Sequence, residues 1–568
     1  MLGASRSVGH LRTVGVVALV LTLVGAGTWA LVGTGPGALV GAPSPAPASQ
    51  PERDLLNGTT FRESAAEHGL RYTFAADRIE NGGVYALDYD RDGWTDLLAV
   101  GGHGVTLFHN RNGTFEPSGQ LPNVTAASAL VFDYDADGWS DVLLLRRGDE
   151  PLLLANRRGR FERRSAGFED DLAYPLGATA ADFEGDGCLD VFVAQYRSWD
   201  DRIPAAARYD VSNVSLTADN GRPNRLYDGN CSEFENATAA AGVRGSAWSV
   251  ATSAVDFTGD GRPDIHVAND FNEDVLYVNR GDGTFEHRTL GPATDRNGMS
   301  SEVADFTGDG RPDVFVTNVY LPQRYVDAIP VFEGRASGNN LLVNRGNGSF
   351  EDRASAFGVR RGGWGWAVSY TDFDNDGDRD LFHSTNVPKL PGRVQLDVDN
   401  LTRYRRQRRY LGLPSFWERT ERGFEHRRGA RLGFELATGT GVATLDVDND
   451  GDRDLAVAQT SGPLLLYENT ADERAGAAVE FALGGAPRYG TTVHVTVDGR
   501  TQSRTLTSRS DFLSQDSRVL HFGVGDRDAV NRVRIVWPDG SERVLTDLPT
   551  DVRYRVAANG SVRRLVSL

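Results

Sequence analysis

The chain is 568 residues long, more than one hydrophobic core usually organises, so its length predicts several domains or a repeat array. Its 78 acidic residues outnumber its 60 basic residues, and the formal net charge of -18 argues against nucleic acid as a partner. The two cysteines, Cys188 and Cys231, lack the spacing of a zinc site, which leaves one disulfide or two free thiols.

The N-terminus has the composition of an export signal. Two arginines precede an uncharged run over residues 14–32, whose helical length matches a bilayer core of ~30 Å. A small-residue cleavage site at residues 46–48 leaves two interpretations of residues 1–33, a cleaved signal peptide or a signal anchor in the membrane. Residues 34–56 are rich in Gly, Pro, Ala and Ser and predict a linker.

A nine-residue pattern, D-x-[D/E/T]-x-D-G-x-x-D, recurs seven times, in loops that begin at Asp88, Asp133, Asp182, Asp256, Asp305, Asp372 and Asp446. We number these loops 1 to 7. Oxygens at positions 1, 3, 5 and 9 converge when the chain wraps around a hard cation, and the glycine at position 6 permits the sharp turn. Position 7 is expected to offer only its carbonyl, which would explain why its side chains vary. The predicted Ca²⁺ ligands are Asp88, Asp90, Asp92, Asp96, Asp133, Asp135, Asp137, Asp141, Asp182, Glu184, Asp186, Asp190, Asp256, Thr258, Asp260, Asp264, Asp305, Thr307, Asp309, Asp313, Asp372, Asp374, Asp376, Asp380, Asp446, Asp448, Asp450 and Asp454.

Two other interpretations of this pattern are an EF-hand and a simple hairpin turn. An EF-hand opens in the same way, but it ends in a bidentate glutamate at position 12 and is flanked by helices. Position 12 here is never glutamate, and strand-like apolar runs such as residues 264–268 follow the loops. Simple Asp-Gly hairpin turns remain the alternative, although a turn needs only two such residues. Loop 3, which has Glu184 at position 3, is a slightly weaker candidate for calcium binding than the loops with aspartate there. Loops 4 and 5, which have Thr258 and Thr307 at that position, are expected to bind calcium more loosely.

The spacing of the loops, 45 to 74 residues, is that of propeller blades with insertions. Seven units between residues 57 and 469 therefore predict an all-β fold, a seven-bladed β-propeller. A turn followed by phenylalanine ends most units, and one such element at residues 57–61 precedes loop 1. The seventh unit breaks off after Tyr467 without one, so residues 58–65 are expected to complete the last blade. An open solenoid is the alternative.

The same topology makes a prediction for the cysteines. Cys188 falls between the first two strands of unit three, and Cys231 falls in the turn between its last two strands. In a four-stranded meander these connections emerge on one face, so we predict a disulfide. The closed loop would contribute roughly 4 kcal/mol on the chain-entropy model.

Insertions follow the second strands of units three, five and six, at about residues 196–222, 319–338 and 384–415. Such loops on a rigid scaffold are where binding usually resides. The last insertion carries a basic and aromatic cluster at residues 403–410, which is either a solvated surface helix or a site for an anionic partner.

The tail, residues 476–568, changes character. Strict alternation over residues 491–497 and Asp-Gly turns further on predict a small all-β domain. The tail contains no calcium loop, so it is expected to keep its melting temperature when calcium is removed. Three short motifs stand out in it, DFLSQ at residues 511–515, LHFGVG at 520–525 and VWPDG at 536–540.

The seven loops with their downstream Asn-Gly-x-Phe turns resemble FG-GAP/VCBS repeats, and the three tail motifs resemble the ASPIC/UnbV domain. A propeller followed by this domain is similar to the cartilage acidic protein family and its microbial relatives. The resemblance implies an extracellular, calcium-dependent interaction protein, and no enzymatic activity is established for that family. His521 lies in an apolar stretch of the second motif and is expected to be a buried structural histidine.

The expected function is that of a monomeric, exported calcium-binding module, secreted or anchored at the N-terminus, for adhesion to an extracellular protein or glycan. The alternative is a propeller enzyme, a lyase, hydrolase or quinone-dependent dehydrogenase with its site in the central face. No nucleophile or zinc-protease motif occurs, so no catalytic residue is assigned. A deep central pocket with His, Arg and uncommitted carboxylates would favour the enzyme, and a flat, loop-rimmed face would favour the binding module.

Overall fold

The structure is a computed structural model that describes residues 58–74, 82–168, 172–196, 221–290, 297–320, 336–385, 413–435, 438–470, 476–483, 489–557 and 559–568. The N-terminal run, the linker and most of the three long insertions, including the basic cluster at residues 403–410, lie outside these ranges. Within them, no helix is long and apolar enough to cross a membrane.

The described residues are mainly strands, with one short helix, α1 (Thr238–Ala241), and one 3-10 turn (Gly429–Arg431). The strands before residue 470 are β1 (Phe61–Glu63), β2 (Thr73–Phe74), β3 (Gly83–Leu87), β4 (Asp96–Gly101), β5 (Gly104–Arg111), β6 (Thr114–Pro117), β7 (Ser128–Phe132), β8 (Asp141–Leu145), β9 (Leu152–Asn156), β10 (Phe161–Arg164), β11 (Pro175–Ala181), β12 (Asp190–Gln195), β13 (Arg225–Gly229), β14 (Phe234–Asn236), β15 (Trp248–Val255), β16 (Asp264–Asp270), β17 (Val275–Asn279), β18 (Phe285–Thr289), β19 (Ser301–Ala304), β20 (Asp313–Val316), β21 (Asn340–Asn344), β22 (Phe350–Asp352), β23 (Gly365–Thr371), β24 (Asp380–Thr385), β25 (Ser415–Thr420), β26 (Gly423–Arg428), β27 (Gly439–Leu445), β28 (Asp454–Gln459), β29 (Gly462–Pro463) and β30 (Leu465–Asn469). The later strands are β31 (Ala477–Leu483), β32 (Thr492–Val497), β33 (Arg500–Thr505), β34 (Arg509–Ser510), β35 (Ser514–Gln515), β36 (Val519–Gly525), β37 (Ala529–Val536), β38 (Glu542–Pro549), β39 (Val552–Val556) and β40 (Val562–Ser567).

Apart from β2 and β29, which pair only with each other, the strands up to β30 build seven sheets around a ring. Sheets 1 to 6 each contain four consecutive strands in chain order, from β3–β6 to β23–β26, and sheet 7 contains β27, β28, β30 and β1. The first strands of neighbouring sheets contact each other in a closed cycle, β3, β7, β11, β15, β19, β23, β27 and back to β3. The predicted all-β propeller fold is therefore confirmed. Because these inner strands pack on both faces, β3 and β7 are buried along their whole length, which explains their uninterrupted apolar sequences.

The N-terminal strand closes the ring. β1 pairs antiparallel with β30, with Phe61 opposite Asn469. The Phe61 ring is buried and stacks on Phe434 with 4.6 Å between centroids. The prediction that the first strand completes the last sheet is confirmed, and its physical reason is that β30 has no later strand of its own to pair with.

The predicted disulfide is also present. Cys188 and Cys231 are bonded, with 4.9 Å between their Cα atoms. Cys188 lies in loop 3 and Cys231 lies in the turn between β13 and β14, so the bond ties the first connection of sheet 3 to its last.

The tail forms two further four-stranded sheets, one ordered β36-β31-β39-β40 and the other β33-β32-β37-β38. They enclose a core that includes Phe481, Phe522, Ile535 and Tyr554. Strands β34 and β35 belong to neither of these sheets. They pair instead with the inner strands β15 and β3 of the propeller.

Residues 507–517, which we call the axial segment, therefore leave the tail domain and run between the inner strands. The side chain of Gln515 accepts a 2.9 Å hydrogen bond from the Val131 amide and donates a 3.0 Å bond to its carbonyl, as a neighbouring strand would. The segment contacts all seven sheets, through Val84, Val131, Thr179, Thr252, Glu302, Trp366 and Thr444. Contact with every inner strand places the segment on the axis of the ring.

Candidate functional site

All seven loops connect an inner strand to the next strand, and the same hydrogen bonds fold them. In six loops the amide of the position-6 glycine donates to the position-1 aspartate, as Gly377 does to Asp372 at 2.9 Å. In all seven the position-5 aspartate accepts a bond from the amide at position 7. The position-6 glycines have φ between +84° and +95°, so the predicted requirement for glycine in this turn is confirmed.

The position-9 aspartate accepts hydrogen bonds both from its own loop and from the third strand. In loop 4, Asp264 accepts a 2.9 Å bond from the Phe257 amide and a 2.8 Å bond from the Asn279 amide, one on each oxygen. The equivalent pair of bonds occurs in the other six loops. The oxygen that accepts the third-strand bond accepts only that bond and retains a lone pair for a metal, so this residue both ties the loop to the third strand and remains a candidate ligand.

Position 4 has a backbone requirement that the motif analysis missed. Its φ is positive in every loop, at Arg91, Ala136, Gly185, Gly259, Gly308, Asn375 and Asn449. A local signal was available, because five of these seven residues are glycine or asparagine, which tolerate the left-handed region best.

A second missed element is an asparagine at the end of the third strand. The side-chain amide of Asn279 donates to the Phe183 carbonyl in the loop of the preceding sheet at 2.7 Å and to the Pro263 carbonyl of its own loop at 3.1 Å. The asparagines that make this pair of bonds are Asn110, Asn156, Asn279, Asn344 and Asn469. Each one fastens a loop to the neighbouring sheet, and its recurrence before the Gly-rich turn was the available signal.

The loops bring predicted ligands together. Asp88, Asp90 and Asp96 offer oxygens within 4.8 Å of one another in loop 1. Asp133, Asp135 and Asp141 do the same in loop 2. The Oδ1 atom of Asp88 is buried and, within the described residues, accepts no hydrogen bond. Hard oxygen donors in this arrangement suit Ca²⁺.

Two residues outside the motif join these groups. In loop 3 the cluster consists of Glu184, Asp190 and Asp228, the last of which lies on the third strand. In loop 1 His109 lies 3.1 Å from Asp90 and 3.5 Å from Asp92, both measured from its Nε2 atom. Neither residue was predicted, because each reaches its loop through strand pairing rather than through the local motif.

Several carboxylates of loops 6 and 7 are buried. Burial and then the charge of Asp376 raise the pKa of Asp374 to about 7, and burial and then the charge of Glu480 raise the pKa of Asp446 to about 7. Burial followed by the neighbouring aspartates raises the pKa of Asp372 well above its usual range. Several carboxylates so placed cannot all be ionised unless a cation compensates them.

Family comparisons match both parts of the chain. The FG-GAP-like repeat matches residues 88–144, 133–193, 256–316 and 329–383, and the model described as ASPIC and UnbV matches residues 484–563. The chain carries FG-GAP-like repeats and an ASPIC/UnbV domain. Loop 7 lies outside the matched ranges, but its hydrogen bonds are those of the other FG-GAP loops.

Cartilage acidic protein 1 is a weakly similar relative. The mouse protein is 23% identical over 427 residues and the Xenopus tropicalis protein is 24% identical over 420 residues. Each match covers 64% of this chain and 61% of the relative, so the chain spans less than two thirds of the length of these proteins. Among solved structures, the V. cholerae biofilm matrix protein Bap1 aligns at a TM-score of 0.30 with 11% identity, covering 86% of this chain and 76% of that chain.

The ASPIC/UnbV domain covers FG-GAP loops 1, 6 and 7. The buried guanidinium of Arg553 bonds to Glu480 at 2.6 Å, to the carbonyl of Gly93 in loop 1 at 2.6 Å and to Asp446 in loop 7 at 3.0 Å. His521 reaches Asn375 of loop 6 at 2.8 Å. Its other ring nitrogen lies 3.2 Å from Glu480, so His521 is a buried histidine with a partner at each nitrogen, as predicted.

Side chains at position 7 make contacts of their own, whereas the carbonyl ligand expected from this position stays a prediction. Arg262 and Arg311 at position 7 of FG-GAP loops 4 and 5 form ion pairs with Asp260 and Asp309, the position-5 aspartates of their own loops. In loop 3 the position-7 residue is the disulfide cysteine. Position 7 varies because each side chain meets a different neighbour.

Proposed function

We propose that this protein is an exported, calcium-binding β-propeller that serves as an interaction module for an extracellular protein or glycan. The observation that carries the proposal is the convergence of three carboxylates within 4.8 Å in loops 1 and 2, each including a buried aspartate. Oxygen ligands at this density suit Ca²⁺, whose sites in extracellular modules have dissociation constants of about 10⁻⁴ to 10⁻³ M.

The ligands would come from positions 1, 3, 5 and 9 of the loops, with a carbonyl from position 7. Bound calcium would supply the positive charge that compensates buried carboxylates such as Asp372 and Asp454. Because the third-strand asparagines bond each loop to the next sheet, stiffening a loop would also stiffen the contact between sheets. A rigid ring of this kind presents its surface loops at low conformational cost.

Several observations support an exported protein. Disulfides such as Cys188–Cys231 persist in oxidising compartments, and the run over residues 14–32 has the composition of an export signal. The similarity to cartilage acidic protein 1 points in the same direction. The adhesion role and the identity of the partner belong to this proposal.

A binding module is favoured over an enzyme by the axial segment. The central face, where an enzymatic site was expected, has its axis filled by residues 507–517, which contact all seven inner strands. The bonds made by Gln515 and the packing of Phe512 against Trp366 give these residues a structural role there.

Calcium titration tests the proposal. Equilibrium dialysis of the metal-stripped full chain is expected to show several bound Ca²⁺ ions at millimolar calcium and far fewer Mg²⁺ ions at the same concentration, because Mg²⁺ demands smaller octahedral sites. No bound Ca²⁺ under these conditions would contradict it.

A further inference from the structure

Loop 3 is fastened to its own sheet by a covalent bond, whereas loops 4 and 5 are fastened by side-chain hydrogen bonds. In loop 4 the side chain of Asn279 donates to the Pro263 carbonyl at 3.1 Å, and the Nε atom of Arg262 donates to the Asn279 carbonyl at 3.4 Å. Loop 5 makes the same two bonds. Both bonds join the loop to the end of the third strand of its sheet.

Sheet 3 has neither of these side chains. Gly229 stands where sheet 4 has the asparagine, and its amide donates to Asp190 at 2.9 Å. A Cβ atom on Gly229 would lie 2.1 Å from the carbonyl oxygen of Leu189, so no side chain fits there. Position 7 of the loop is Cys188 instead of arginine, and it is bonded to Cys231, two residues beyond Gly229. The disulfide therefore makes the connection that the asparagine and the arginine make in loops 4 and 5.

The bond lies beside the part of loop 3 that is expected to hold calcium. The amide of Cys188 donates to Asp186, the position-5 aspartate, at 2.8 Å, and its carbonyl is the ligand expected from position 7. Glu184 at position 3 is exposed. Cβ atoms added at Gly185 and Gly187 would meet no other described segment within 4 Å. Since packing constrains this turn so little, the disulfide is its main attachment to the third strand.

We propose that the Cys188–Cys231 disulfide controls calcium binding at loop 3, so that reduction weakens binding and bound calcium protects the disulfide. The reductant would be a low-molecular-weight thiol, because both cysteines are partly exposed and line a cleft of about 1090 Å³. The first thiol forms a mixed disulfide with one cysteine, and a second thiol releases that cysteine as an external disulfide. Two electrons and two protons pass to Cys188 and Cys231, which become thiols.

The coupling has an expected size and a reciprocal. A loop freed from the third strand must lose more conformational freedom on binding, so we expect reduction to lower the calcium affinity of loop 3 roughly tenfold. By linkage, calcium must shift the equilibrium between disulfide and thiols by the same factor, which is about 30 mV for a two-electron couple. The inference rests on the proposed function, because it takes loop 3 as a calcium site.

Redox equilibration of the full chain tests the coupling. The chain is held in mixtures of oxidised and reduced dithiothreitol, in millimolar calcium or in excess chelator, and its thiols are alkylated and counted by mass spectrometry. The count reports this one bond, because the chain has only two cysteines. The reduction potential is expected to be about 30 mV more negative in calcium. Equal potentials in calcium and in chelator would overturn the inference.

Two variants show whether the shift arises at loop 3. Glu184→Gln removes a predicted ligand charge and leaves both cysteines in place, so it is expected to abolish most of the calcium-dependent shift. Glu233→Gln removes an exposed carboxylate from the turn that contains Cys231, outside every predicted ligand set, and is expected to keep the full shift. A full shift in Glu184→Gln would overturn the inference, because calcium would then act from another site.

Hydrogen exchange of loops 3, 4 and 5, followed by mass spectrometry, separates the two proposals. Calcium is expected to slow exchange in all three loops of the oxidised chain, and after reduction only in loops 4 and 5. Calcium protection of loop 3 that survives reduction would overturn this inference alone. Loss of protection in all three loops on reduction would also overturn it, because reduction would then act through the whole fold. No calcium effect in the oxidised chain, with no bound calcium in dialysis, would reject the proposed function itself.

Discussion

FG-GAP loops 4 and 5 and FG-GAP loops 6 and 7 share one motif but balance their charge differently. In loops 4 and 5 the position-1 aspartates, Asp256 and Asp305, are only partly buried, and the position-5 aspartates, Asp260 and Asp309, each pair with an arginine of their own loop. In loop 7 the position-1 residue Asp446 is fully buried and pairs with Arg553, more than a hundred residues away. Loops 4 and 5 are thus compensated from within, whereas loop 7 is compensated by another domain, and we propose that a cation supplies the rest.

The motif alone therefore does not set the expected demand for calcium. A threonine at position 3 and an arginine at position 7 reduce the negative charge of loops 4 and 5 from within. Loops 6 and 7 have aspartate at both positions and lie beneath the ASPIC/UnbV domain. We expect the calcium dependence of the whole molecule to come mainly from loops 6 and 7.

The largest single effect is expected from Arg553→Met. Its removal leaves Glu480 and Asp446 buried with less compensation, which should lower the free energy of unfolding by about 3–5 kcal/mol. Denaturant titration of the full chain measures this loss. Arg262→Gln, in the exposed pair of loop 4, is the matched control and should change it by no more than about 1 kcal/mol. Equal losses in the two variants would remove the distinction between the pairs of loops.

Removal of one predicted ligand from each class of loop should change stability by different amounts. Asp376→Ala should abolish strong binding at loop 6, and a site held at a hundredfold excess of calcium contributes about 2.7 kcal/mol. Thr258→Ala removes a neutral oxygen from loop 4 and should lower the melting temperature in calcium by much less. Thermal melts of both variants with and without chelator provide the measurement. A larger calcium-dependent loss for Thr258→Ala would contradict the account.

The third-strand asparagines should not distinguish the two classes, because their hydrogen bonds involve no charge. Asn344→Ala releases loop 4 from its neighbouring sheet and Asn469→Ala releases loop 6. Each leaves buried carbonyls with fewer donors and should cost about 1–3 kcal/mol, with and without calcium. Asn123→Ala, at an exposed position, serves as the control and should stay within about 0.5 kcal/mol. A loss seen only in calcium would show that the bonds form only when metal is bound.

The smallest effect concerns competition within loop 4. Arg262 forms an ion pair with Asp260, a predicted calcium ligand, and so competes with calcium for it. Arg262→Gln should therefore raise the calcium affinity of loop 4 by a few-fold while leaving the free energy of unfolding nearly unchanged. Calorimetric titration of Arg262→Gln and of the unchanged chain measures the difference. Weaker binding by the variant would mean that the arginine supports the site.

Local sequence patterns predicted much of the fold. The repeat period and the turn followed by phenylalanine predicted the propeller and its closure by β1, because each unit builds its own sheet. The disulfide followed from the same meander. Position 4 of the loops and the third-strand asparagines had local signals that were overlooked.

Other features have no local signal. The axial segment pairs with strands up to several hundred residues away, and the DFLSQ motif alone does not indicate that Gln515 bonds to Val131. Asp228 joins loop 3 only because β13 pairs with β12. The network around Arg553 likewise exists only once two domains are packed together.

Calorimetric melting of the full chain in calcium and in excess chelator, at neutral pH and with metal loss confirmed, tests the central claim most directly. From the sequence, the tail was expected to keep its melting temperature when calcium is removed. Because Arg553, His521 and the axial segment bond to the propeller, we now expect the two domains to unfold together. We predict one transition that shifts down by several degrees on chelation, since each occupied site contributes about 2.7 kcal/mol at a hundredfold calcium excess. An unchanged transition after metal loss would contradict the account and leave the loops as hydrogen-bonded turns.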